Sequence, residues 1–378
     1  MRVLIDYRPA LRERTGVGEY THELVRALAD TTTLDLTIFS SSWRDRLRLD
    51  DPDLRGVTAV DRRVPVRLLN LLWHRLAWPG AETLTGRTFD VTHSPHPLLL
   101  PSRSAAQVVT IHDLSFLDST DVSRADVRRD YPALVHAHAA HADRIVVSSR
   151  YAAGEVARRL DVPPDKIALC PPGAPAWPPR QASPKPGYLL FMGTIEPRKN
   201  VGTLLDAYEQ LLSRPAQAGR YGDHLPELVL AGKATPAARP WLDRLKHPPL
   251  RGAVRHLGYV DADRRRSLYE GARLLVLPSL DEGFGLPVLE AMATGVPVVA
   301  ADRGALPEVV GGAGPLIDPE SPEDLAAAIE KILTDDEFAA GCASKGLARA
   351  REFQWAATAR LVSDVYHAAI EHKRCASA

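Results

Sequence analysis

The stretch ARLLVLPSLDEGFGLPVLEAMATGVPVVA, residues 272–300, decides the fold prediction. Its apolar run ARLLVL predicts a buried strand, and the glycine-containing loop that follows leads to Pro287, where a first helical residue belongs. Gly295 stands where the helix ends. A strand, a glycine loop and a helix therefore follow one another, as they do at the ligand-binding edge of an open α/β sheet.

The loop within this stretch has the features of an anion site. The backbone N–H groups of Phe284, Gly285 and Leu286 come just before the first helical turn, where they have no acceptors within the helix. They also lie at the positive end of the helix dipole. Together with Gly283, these residues predict a loop that binds a phosphate group through its backbone.

Two carboxylates flank this predicted phosphate site. Glu282 lies in the loop and Glu290 lies about one turn inside the helix. Because a carboxylate accepts hydrogen bonds from neighbouring hydroxyls, the pair indicates a ligand with sugar hydroxyls on either side of a phosphate. Taken as isolated residues, the two glutamates would instead be solvated surface charges.

A second motif, FMGTIEPRKN at residues 191–200, also follows an apolar run and precedes a helix. It places Arg198 and Lys199 at a strand-to-helix turn. Two cations there would neutralise a phosphate group that binds at this edge of the sheet.

The rest of the chain repeats the alternation of strand and helix. Apolar runs predict strands at residues 3–6, 34–39, 57–60, 91–93, 108–112 and 145–148, and again at 188–192, 228–231, 254–257, 274–277 and 296–300. Residues 171–186 contain seven prolines in sixteen positions and interrupt the alternation. We therefore predict an N-terminal domain at 1–173, a proline-rich linker at 174–187, a second domain at 188–355, and a C-terminal helix at 356–378 that packs across the interface.

With 378 residues the chain is too long for one ordinary core. The predicted fold class is α/β, with two doubly wound parallel-sheet, Rossmann-like domains that face each other across a cleft. Ligands of such sheets bind at the carboxyl ends of the strands, so functional residues are expected in the loops that follow strands.

Composition excludes several classes of protein. The 47 basic and 47 acidic residues balance, which disfavours nucleic acid as a partner. The three cysteines are far apart, which disfavours a disulfide framework and a structural zinc site. The N-terminus does not read as a signal peptide and no stretch of 18 apolar residues occurs, so we expect a cytoplasmic protein.

Two features of the N-terminal half are candidate ligand contacts. Gly16 and Gly18, in RTGVGEYTHEL, predict a loop after the first strand that lets backbone approach the donor phosphate or the acceptor. The alternatives are a plain flexible turn, or a dinucleotide site, whose GxGxxG spacing fails at Thr21. His112, in VVTIHDLSF, ends a strand, where a neutral imidazole can hydrogen-bond a sugar hydroxyl; the alternative is a buried histidine with a structural role.

The chain resembles the family 4 glycosyltransferases, which are retaining enzymes of GT-B architecture that use nucleotide sugars. The resemblance rests on EGFGLPVLEAMATGVPVVA and on GALPEVVGGAGPLIDP at residues 304–319, and it covers most of residues 188–330. It implies that Glu282 contacts the donor sugar, that Glu290 contacts the nucleotide ribose, and that the amides of residues 284–286 meet sugar and diphosphate. It also implies that His112 lies near the donor sugar. By the same resemblance, residues 1–173 form the acceptor-side domain and residues 188–355 form the nucleotide-sugar-binding domain. Arg198 and Lys199 would neutralise the diphosphate as its glycosyl bond breaks and negative charge develops on the leaving oxygen.

The motif at residues 191–200 departs from the pattern of many relatives. There an arginine follows the glycine directly, whereas Thr194 stands at that position in this chain, and Lys199 keeps the spacing of the relatives' lysine. This departure is typical of members that carry EPRKN. Arg198 either replaces the missing charge or points to solvent.

Two further segments have competing interpretations. His136, His138 and His141 have a spacing that could bind a metal on a helix, but they lack a nearby carboxylate or thiolate partner in sequence, so we predict no metal site. Residues 62–78, RRVPVRLLNLLWHRLAW, are either an interfacial helix for anionic lipid or a helix that packs its leucines into the first domain. The first interpretation would give peripheral contact with the cytoplasmic face of a membrane.

The sequence as a whole predicts an enzyme that transfers a sugar from a nucleoside diphosphate sugar, such as GDP-mannose, to a hydroxyl with retention of configuration. The acceptor is a glycan, a lipid-linked sugar or a small molecule. No cofactor and no divalent metal are expected, with His112, Lys199 and Glu282 as catalytic residues. The alternatives are a sugar-nucleotide epimerase of the same fold and a non-catalytic protein that binds nucleotide sugars.

Overall fold

The computed structural model of the protein describes residues 1–11, 14, 16–43, 45–47, 51–118, 131–184, 187–214 and 225–377. The chain forms two compact units. The first comprises Met1–Gly173 together with Gln354–Ala378, and the second comprises Ala174–Phe353.

The first unit contains a parallel sheet whose described strands lie in the order β3-β2-β1-β4-β5-β6-β7. These strands are β1 (Arg2–Asp6), β2 (Asp35–Ser41), β3 (Thr58–Arg62), β4 (Val91–Ser94), β5 (Ala106–Ile111), β6 (Arg144–Val147) and β7 (Ile167–Leu169). Every residue of β1 after the first is buried, as expected for a strand covered on both faces. The order in which the chain adds strands reverses at β1, since β2 and β3 lie on one side of it and β4 to β7 lie on the other. Open α/β sheets bind ligands at such a switch point.

Helices cover this sheet. They are α1 (Gly16–Thr31), α2 (Val66–Leu76), α3 (Ala81–Thr85), α4 (Tyr131–His141) and α5 (Arg150–Leu160). Short 3₁₀ turns lie at Arg8–Ala10, Pro52–Leu54, Ser115–Leu117 and Pro164–Lys166. Leu24, Val25 and Leu28 of α1 are fully buried, so the apolar stripe of this helix faces the sheet.

The second unit has a parallel sheet of the same kind, with described strands in the order β10-β9-β8-β11-β12-β13. They are β8 (Tyr188–Met192), β9 (Leu228–Ala231), β10 (Val254–Gly258), β11 (Ala272–Leu277), β12 (Val298–Ala301) and β13 (Leu316–Ile317). Its helices are α6 (Val201–Ser213), α7 (Arg239–Arg244), α8 (Ala262–Glu270), α9 (Leu286–Ala293), α10 (Leu306–Val310), α11 (Pro322–Thr334) and α12 (Asp336–Ala350), with 3₁₀ turns at Pro197–Lys199 and Pro236–Ala238. The predicted α/β class with two parallel sheets is confirmed.

The predicted linker follows the surface of the second unit. Ala174 donates its backbone N–H to Phe353 O over 3.0 Å, and Arg180 donates its own to Thr294 O over 3.1 Å. Trp177 lies 5.9 Å from the Tyr269 ring. The described part of residues 174–187 is thus packed chain rather than a free connector, and residues 185–186 lie outside the described residues.

The last helix, α13 (Trp355–Ser377), belongs to the first unit and packs against α1, β5 and β6. The Thr358 hydroxyl donates to Pro171 O over 2.6 Å, and the Tyr366 hydroxyl lies 2.7 Å from His93 Nδ1. The structure makes this helix part of the core of the first unit. Residue 378 of the predicted segment lies outside the described residues.

His93 joins α13 to the sheet and generates a prediction about pH. It is fully buried, with its ring nitrogens 2.7 Å from the Tyr366 hydroxyl and 2.8 Å from the Thr110 hydroxyl. Burial lowers the pKa of His93 to about 3. Below the pKa of about 6.5 that it has in the unfolded chain, the unfolded state takes up a proton that the folded state does not, so stability falls as pH falls.

We expect His93 to account for a loss of about 2 kcal/mol in the free energy of unfolding between pH 7 and pH 5. Urea unfolding of the wild type and of His93→Gln at both pH values measures this contribution. The variant should lose about 2 kcal/mol less than the wild type over that interval. Equal losses in the two proteins would show that His93 is not the titrating group.

Candidate active site

Lys199 and Glu282 are in direct contact in the second unit. Lys199 Nζ donates to Glu282 Oε1, and the Ser279 hydroxyl donates to the same oxygen over 2.9 Å. Only 8% of Lys199 and 6% of Glu282 is exposed. Lys199 comes from the turn after β8 and Glu282 from the loop after the neighbouring strand β11, so adjacent strand ends bring the two motifs together.

Arg198 lies at the same carboxylate. Its Nη1 is 3.7 Å from Glu282 Oε2 and its Nε is 2.7 Å from Glu196 Oε1. The side chain is 30% exposed. Of the two alternatives for this residue, the geometry favours a charge at the site over one that points to solvent.

Asn200 is a positioning residue that was not among the predicted site residues. It has a left-handed backbone, with φ of 55°. Its side-chain amide donates to Pro278 O over 3.1 Å and to Pro319 O over 2.7 Å, and its Oδ1 accepts from the Thr203 hydroxyl over 2.8 Å. It therefore ties the turn that carries Lys199 to the loop that leads to Glu282. The sequence feature that could have identified Asn200 is its position directly before a helix, since asparagine tolerates a left-handed backbone better than most residues.

The start of α9 has the features that the sequence predicts. The helix begins at Leu286 with Pro287 in its first turn, and its N-cap residue is Gly285, which has φ of 99° and no side chain with which to cap the helix. Gly295 follows the helix with φ of 75°. The first N–H groups of the helix lack acceptors within it and carry the positive end of the dipole, which makes this loop a suitable anion site.

The loop before α10 holds the backbone of Glu282. Ala305 donates its N–H to Glu282 O over 2.9 Å. Gly304 has φ of 61°, and a Cβ there would lie 2.7 Å from Glu282 O and 2.8 Å from Glu282 N. Only glycine fits this approach, so Gly304 is a second positioning residue.

Two residues of α8 contact the carboxylate of Glu290. The Tyr269 hydroxyl donates to Glu290 Oε2 over 2.7 Å, and Arg265 Nε lies 3.6 Å from Oε1. Burial, and then the Glu290 carboxylate, raise the pKa of Tyr269 well above its usual value, so its hydroxyl keeps the proton that it donates. Glu290 is 6% exposed and lies in the second turn of α9. Nothing in the sequence pattern marks Tyr269 or Arg265 as partners of this carboxylate.

In the first unit, His112 directly follows β5. Its ring lies 4.5 Å from the Tyr20 ring, and the Pro95 carbonyl accepts a hydrogen bond from it. Its Nε2 is buried and has no hydrogen-bond partner among the described residues. Burial lowers the pKa of His112 to about 4, so the imidazole is neutral at pH 7.

The glycine pair near the N-terminus differs from its prediction. The helix α1 already begins at Gly16, which has φ of 28°, and Gly18 lies buried in its first turn. The predicted loop placement of Gly18 is therefore wrong. The helix starts earlier than predicted, at Gly16, which tolerates the positive φ at the helix end.

Two of the three histidines of α4 have hydrogen-bond partners in the described part of the chain. His138 Nδ1 accepts from the Leu99 N–H over 2.7 Å, and His141 Nδ1 lies 2.7 Å from Ala137 O. Over the part of the chain that the structure describes, no three His, Cys, Asp or Glu side chains are grouped as metal ligands would be.

Some apolar residues of the helix α2 are buried and others are exposed. Leu69 and Trp73 are buried against the sheet, at 0% and 4% exposure. A second set of large apolar side chains at and just beyond the helix is 38–65% exposed: Val66, Leu68, Leu71, Leu76 and Trp78. Part of the helix thus packs into the first domain, as one interpretation of residues 62–78 expects, and part of it is exposed. Among the described helices, none is long and apolar enough to span a membrane.

Comparison with known proteins places both units in one family. The family described as Glycosyltransferase Family 4 matches residues 14–176, and the one described as Glycosyl transferases group 1 matches residues 186–335. The O-antigen chain mannosyltransferase B of Escherichia coli is 32% identical over 384 residues, which cover 94% of this chain and 96% of that protein.

Solved structures share the fold. Sucrose-phosphate synthase from Thermosynechococcus elongatus has a TM-score of 0.76 and 22% identity over 97% of this chain and 98% of that one. Anabaena HepE, solved with UDP and glucose, has a TM-score of 0.69 and 17% identity over 96% of this chain and 98% of that one. At these identities the likeness concerns the fold.

We expect Gly304→Ala to displace the Glu282 backbone, because the added methyl group meets backbone atoms that cannot move aside. The free energy of unfolding should fall by more than about 1 kcal/mol, and affinity for the ligand of the Glu282 loop should fall with it. Thermal unfolding with and without nucleotide sugar measures both effects.

Gly312→Ala is the matched control. Gly312 also has a positive φ, of 80°, but a Cβ there would meet nothing within 4 Å. The free energy of unfolding of this variant should fall only by the backbone strain of alanine at a positive φ, and its ligand affinity should be unchanged. If both variants lose ligand affinity equally, the contact with Glu282 is not the cause.

Proposed function

The chain belongs to glycosyltransferase family 4, and from that premise we propose that it transfers mannose from GDP-mannose to a hydroxyl of a glycan or lipid-linked acceptor, with retention of configuration. The observation that carries this proposal is the contact of Lys199 with Glu282, beside Arg198 and the uncapped start of α9. The choice of mannose is supported by the name of the relative that matches over 94% of the chain.

The cations and the helix start are suited to the leaving diphosphate. As the bond between the sugar and the diphosphate breaks, negative charge grows on the leaving oxygen, and fixed cations stabilise that charge without reorganising. We assign this role to Lys199, to Arg198 and to the amides of residues 284–286 with Gly283. Arg198 takes over the charge that Thr194 does not supply.

The carboxylates are suited to hydroxyl groups. We assign Glu282 to a hydroxyl of the donor sugar, because its position is fixed by Lys199 and Ser279. We assign Glu290 to the nucleotide ribose, with Tyr269 fixing one of its oxygens. In the first unit, Gly16 and Gly18 at the start of α1 are assigned to the donor phosphate, and neutral His112 to a hydroxyl of the donor sugar.

We propose front-face attack for the transfer itself. The acceptor oxygen forms a bond to the anomeric carbon on the side from which the diphosphate leaves, and the leaving diphosphate oxygen receives the acceptor's proton. This route needs no covalent nucleophile on the protein. Protein cations and amides carry the charge of the diphosphate, so we propose that neither a divalent metal nor a cofactor is required.

The exposed face of α2 supports peripheral contact with a membrane. Leu68 and Leu71 are exposed one turn apart on the helix, and Arg62, Arg63 and Arg67 are exposed at or just before its amino end. An apolar face beside basic side chains lies well at the surface of an anionic bilayer. We propose that the first unit contacts anionic lipid through this face, which would bring a lipid-linked acceptor to the enzyme.

Lys199→Met is expected to lower kcat by about 10² to 10³, because one cation at the leaving group is lost. Initial rates with GDP-mannose and a mannose-containing acceptor measure the effect. Lys331→Met is the matched control, since Lys331 pairs with Asp335 on an exposed helix face. A Lys199→Met enzyme that turns over as fast as this control contradicts the proposed role.

GDP-mannose at 100 times its dissociation constant is expected to stabilise the protein by about 2.7 kcal/mol over the unliganded state. Other nucleotide sugars at the same concentration are expected to stabilise it less. A thermal-shift panel of donors measures this preference.

Activity should persist in a chelator, and the NMR spectrum of the product should show the anomeric configuration of the donor. Isomerisation of the donor in the absence of acceptor would instead indicate an epimerase, and binding without turnover a non-catalytic protein.

Leu68→Asn/Leu71→Asn is expected to reduce binding to anionic vesicles at least about tenfold, because two exposed apolar side chains leave the interface. Co-sedimentation with vesicles of phosphatidylglycerol and phosphatidylcholine measures binding, which should also weaken with salt. Leu361→Asn is the control, since Leu361 is 41% exposed on α13. Equal binding by the wild type and the double variant would refute the membrane contact.

A further inference from the structure

A pocket of about 230 Å³ lies in the first unit, beside the loops that follow β1 and β2. Tyr7 and Arg14 line it from the connection after β1, and Arg46, Leu47 and Asp51 line it from the connection after β2. The volume is below the range of roughly 300 to 1,000 Å³ that is typical of sites for drug-sized ligands. It suits a ligand with one ring rather than a whole nucleotide sugar.

The hydroxyl of Tyr7 has a fixed orientation. It lies 2.8 Å from His22 Nδ1, and His22 Nε2 lies 3.3 Å from Asp53 Oδ2. A carboxylate only accepts hydrogen bonds, so Nε2 carries the proton of the neutral ring and Nδ1 accepts from the Tyr7 hydroxyl. The Tyr7 oxygen is therefore left as an acceptor, for which a ligand hydroxyl is a suitable donor.

The ionisation states agree with this orientation. Burial raises the pKa of Tyr7 to about 12 and lowers the pKa of His22, so the phenol keeps its proton and the imidazole is neutral at pH 7.

The charges around the pocket are paired. Arg14 Nη2 lies 3.2 Å from Asp51 Oδ2, and Arg46 Nη2 lies 2.9 Å from Asp61 Oδ2. A phosphate or carboxylate ligand would favour cations without such partners. Paired guanidinium and carboxylate groups offer donors and acceptors to a neutral, hydroxyl-bearing ligand, while Leu47 provides apolar surface for the carbon atoms of its ring.

The pocket lies to one side of the predicted reaction centre. The sheet order β2-β1-β4-β5 separates the ends of β1 and β2 from His112, which follows β5. Neighbouring strands lie about 4.8 Å apart. The ends of β1 and β2 are two and three strand spacings from the end of β5, so they lie about 12 Å from it on average along the sheet edge. A sugar in the pocket would therefore be separated by more than its own ring from a hydroxyl that reacts near His112.

We propose that this pocket is an acceptor subsite that binds one uncharged pyranose of a glycan chain, at a distance from the hydroxyl that receives the new sugar. The inference rests on the proposed glycosyl transfer and deepens it, because it assigns the acceptor class to glycans of more than one residue. Tyr7, Arg14 and Asp51 recognise hydroxyls of this sugar.

Arg14→Met tests the subsite by removing the guanidinium at nearly constant length. Its matched control is Arg26→Met, since Arg26 forms a comparable ion pair with Glu23 on α1 and its side chain is 33% exposed. Calorimetric titration with the methyl glycoside of a linear mannotetraose measures binding. Rates with that glycan and with methyl α-mannoside, at saturating GDP-mannose, measure kcat/KM for a long and a short acceptor.

Arg14→Met should bind the tetraose at least about tenfold more weakly and lose kcat/KM by a similar factor for the tetraose alone, whereas Arg26→Met should match the wild type. Tyr7→Phe should lose about two- to tenfold, again only for the tetraose. Wild-type protein that does not bind the tetraose, or an equal loss for both acceptors, overturns the subsite. If GDP-mannose stabilisation persists in that case, the proposed donor chemistry survives; if it is also absent, the proposed function fails separately.

Discussion

The ion pair between Lys199 and Glu282 is the contact on which the arrangement of the second unit's loops depends. Two charges that are more than 90% buried are stable only when each has a close partner and the remaining hydrogen-bonding capacity is met. Ser279 supplies part of that capacity from the end of β11. Since the pair joins the ends of two neighbouring strands, it holds the turn after β8 and the loop after β11 in one place. Any ligand at the start of α9 meets charges that are already in position.

Backbone conformations that few residues tolerate support this pair. Asn200 and Gly285 have positive φ angles, and Gly304 allows the loop before α10 to touch the backbone of Glu282. Each lies in a connection after a strand, where the chain must turn sharply into a helix. The second unit thus joins its regular buried strands through connections whose backbone few residues tolerate, and these connections position the residues of the candidate site.

Sequence patterns predict the strands well where both faces are buried, because such strands are continuous apolar runs. They do not predict β7 and β13, which have three and two residues at sheet edges and are partly exposed. Within the candidate site, Glu282, Lys199 and the start of α9 follow from local spacing and from the resemblance. Tyr269, Arg265 and Gly304 do not, since each acts on a residue that is distant in sequence and its own surroundings carry no periodic signal. Gly18 was misplaced because the start of α1 depends on a single tolerated backbone angle.

The return of the chain to its first unit has a consequence for synthesis. Tyr366 meets His93, which is 273 positions away in sequence, and Trp355 lies 5.7 Å from Tyr20, so the core built around β1 and β4 is completed only by residues of α13. On the ribosome, the second unit emerges whole and can fold before the first is finished, which reverses the usual order in which an N-terminal domain folds first. Until α13 has been synthesised, the part of the first unit's core that it covers stays exposed to water.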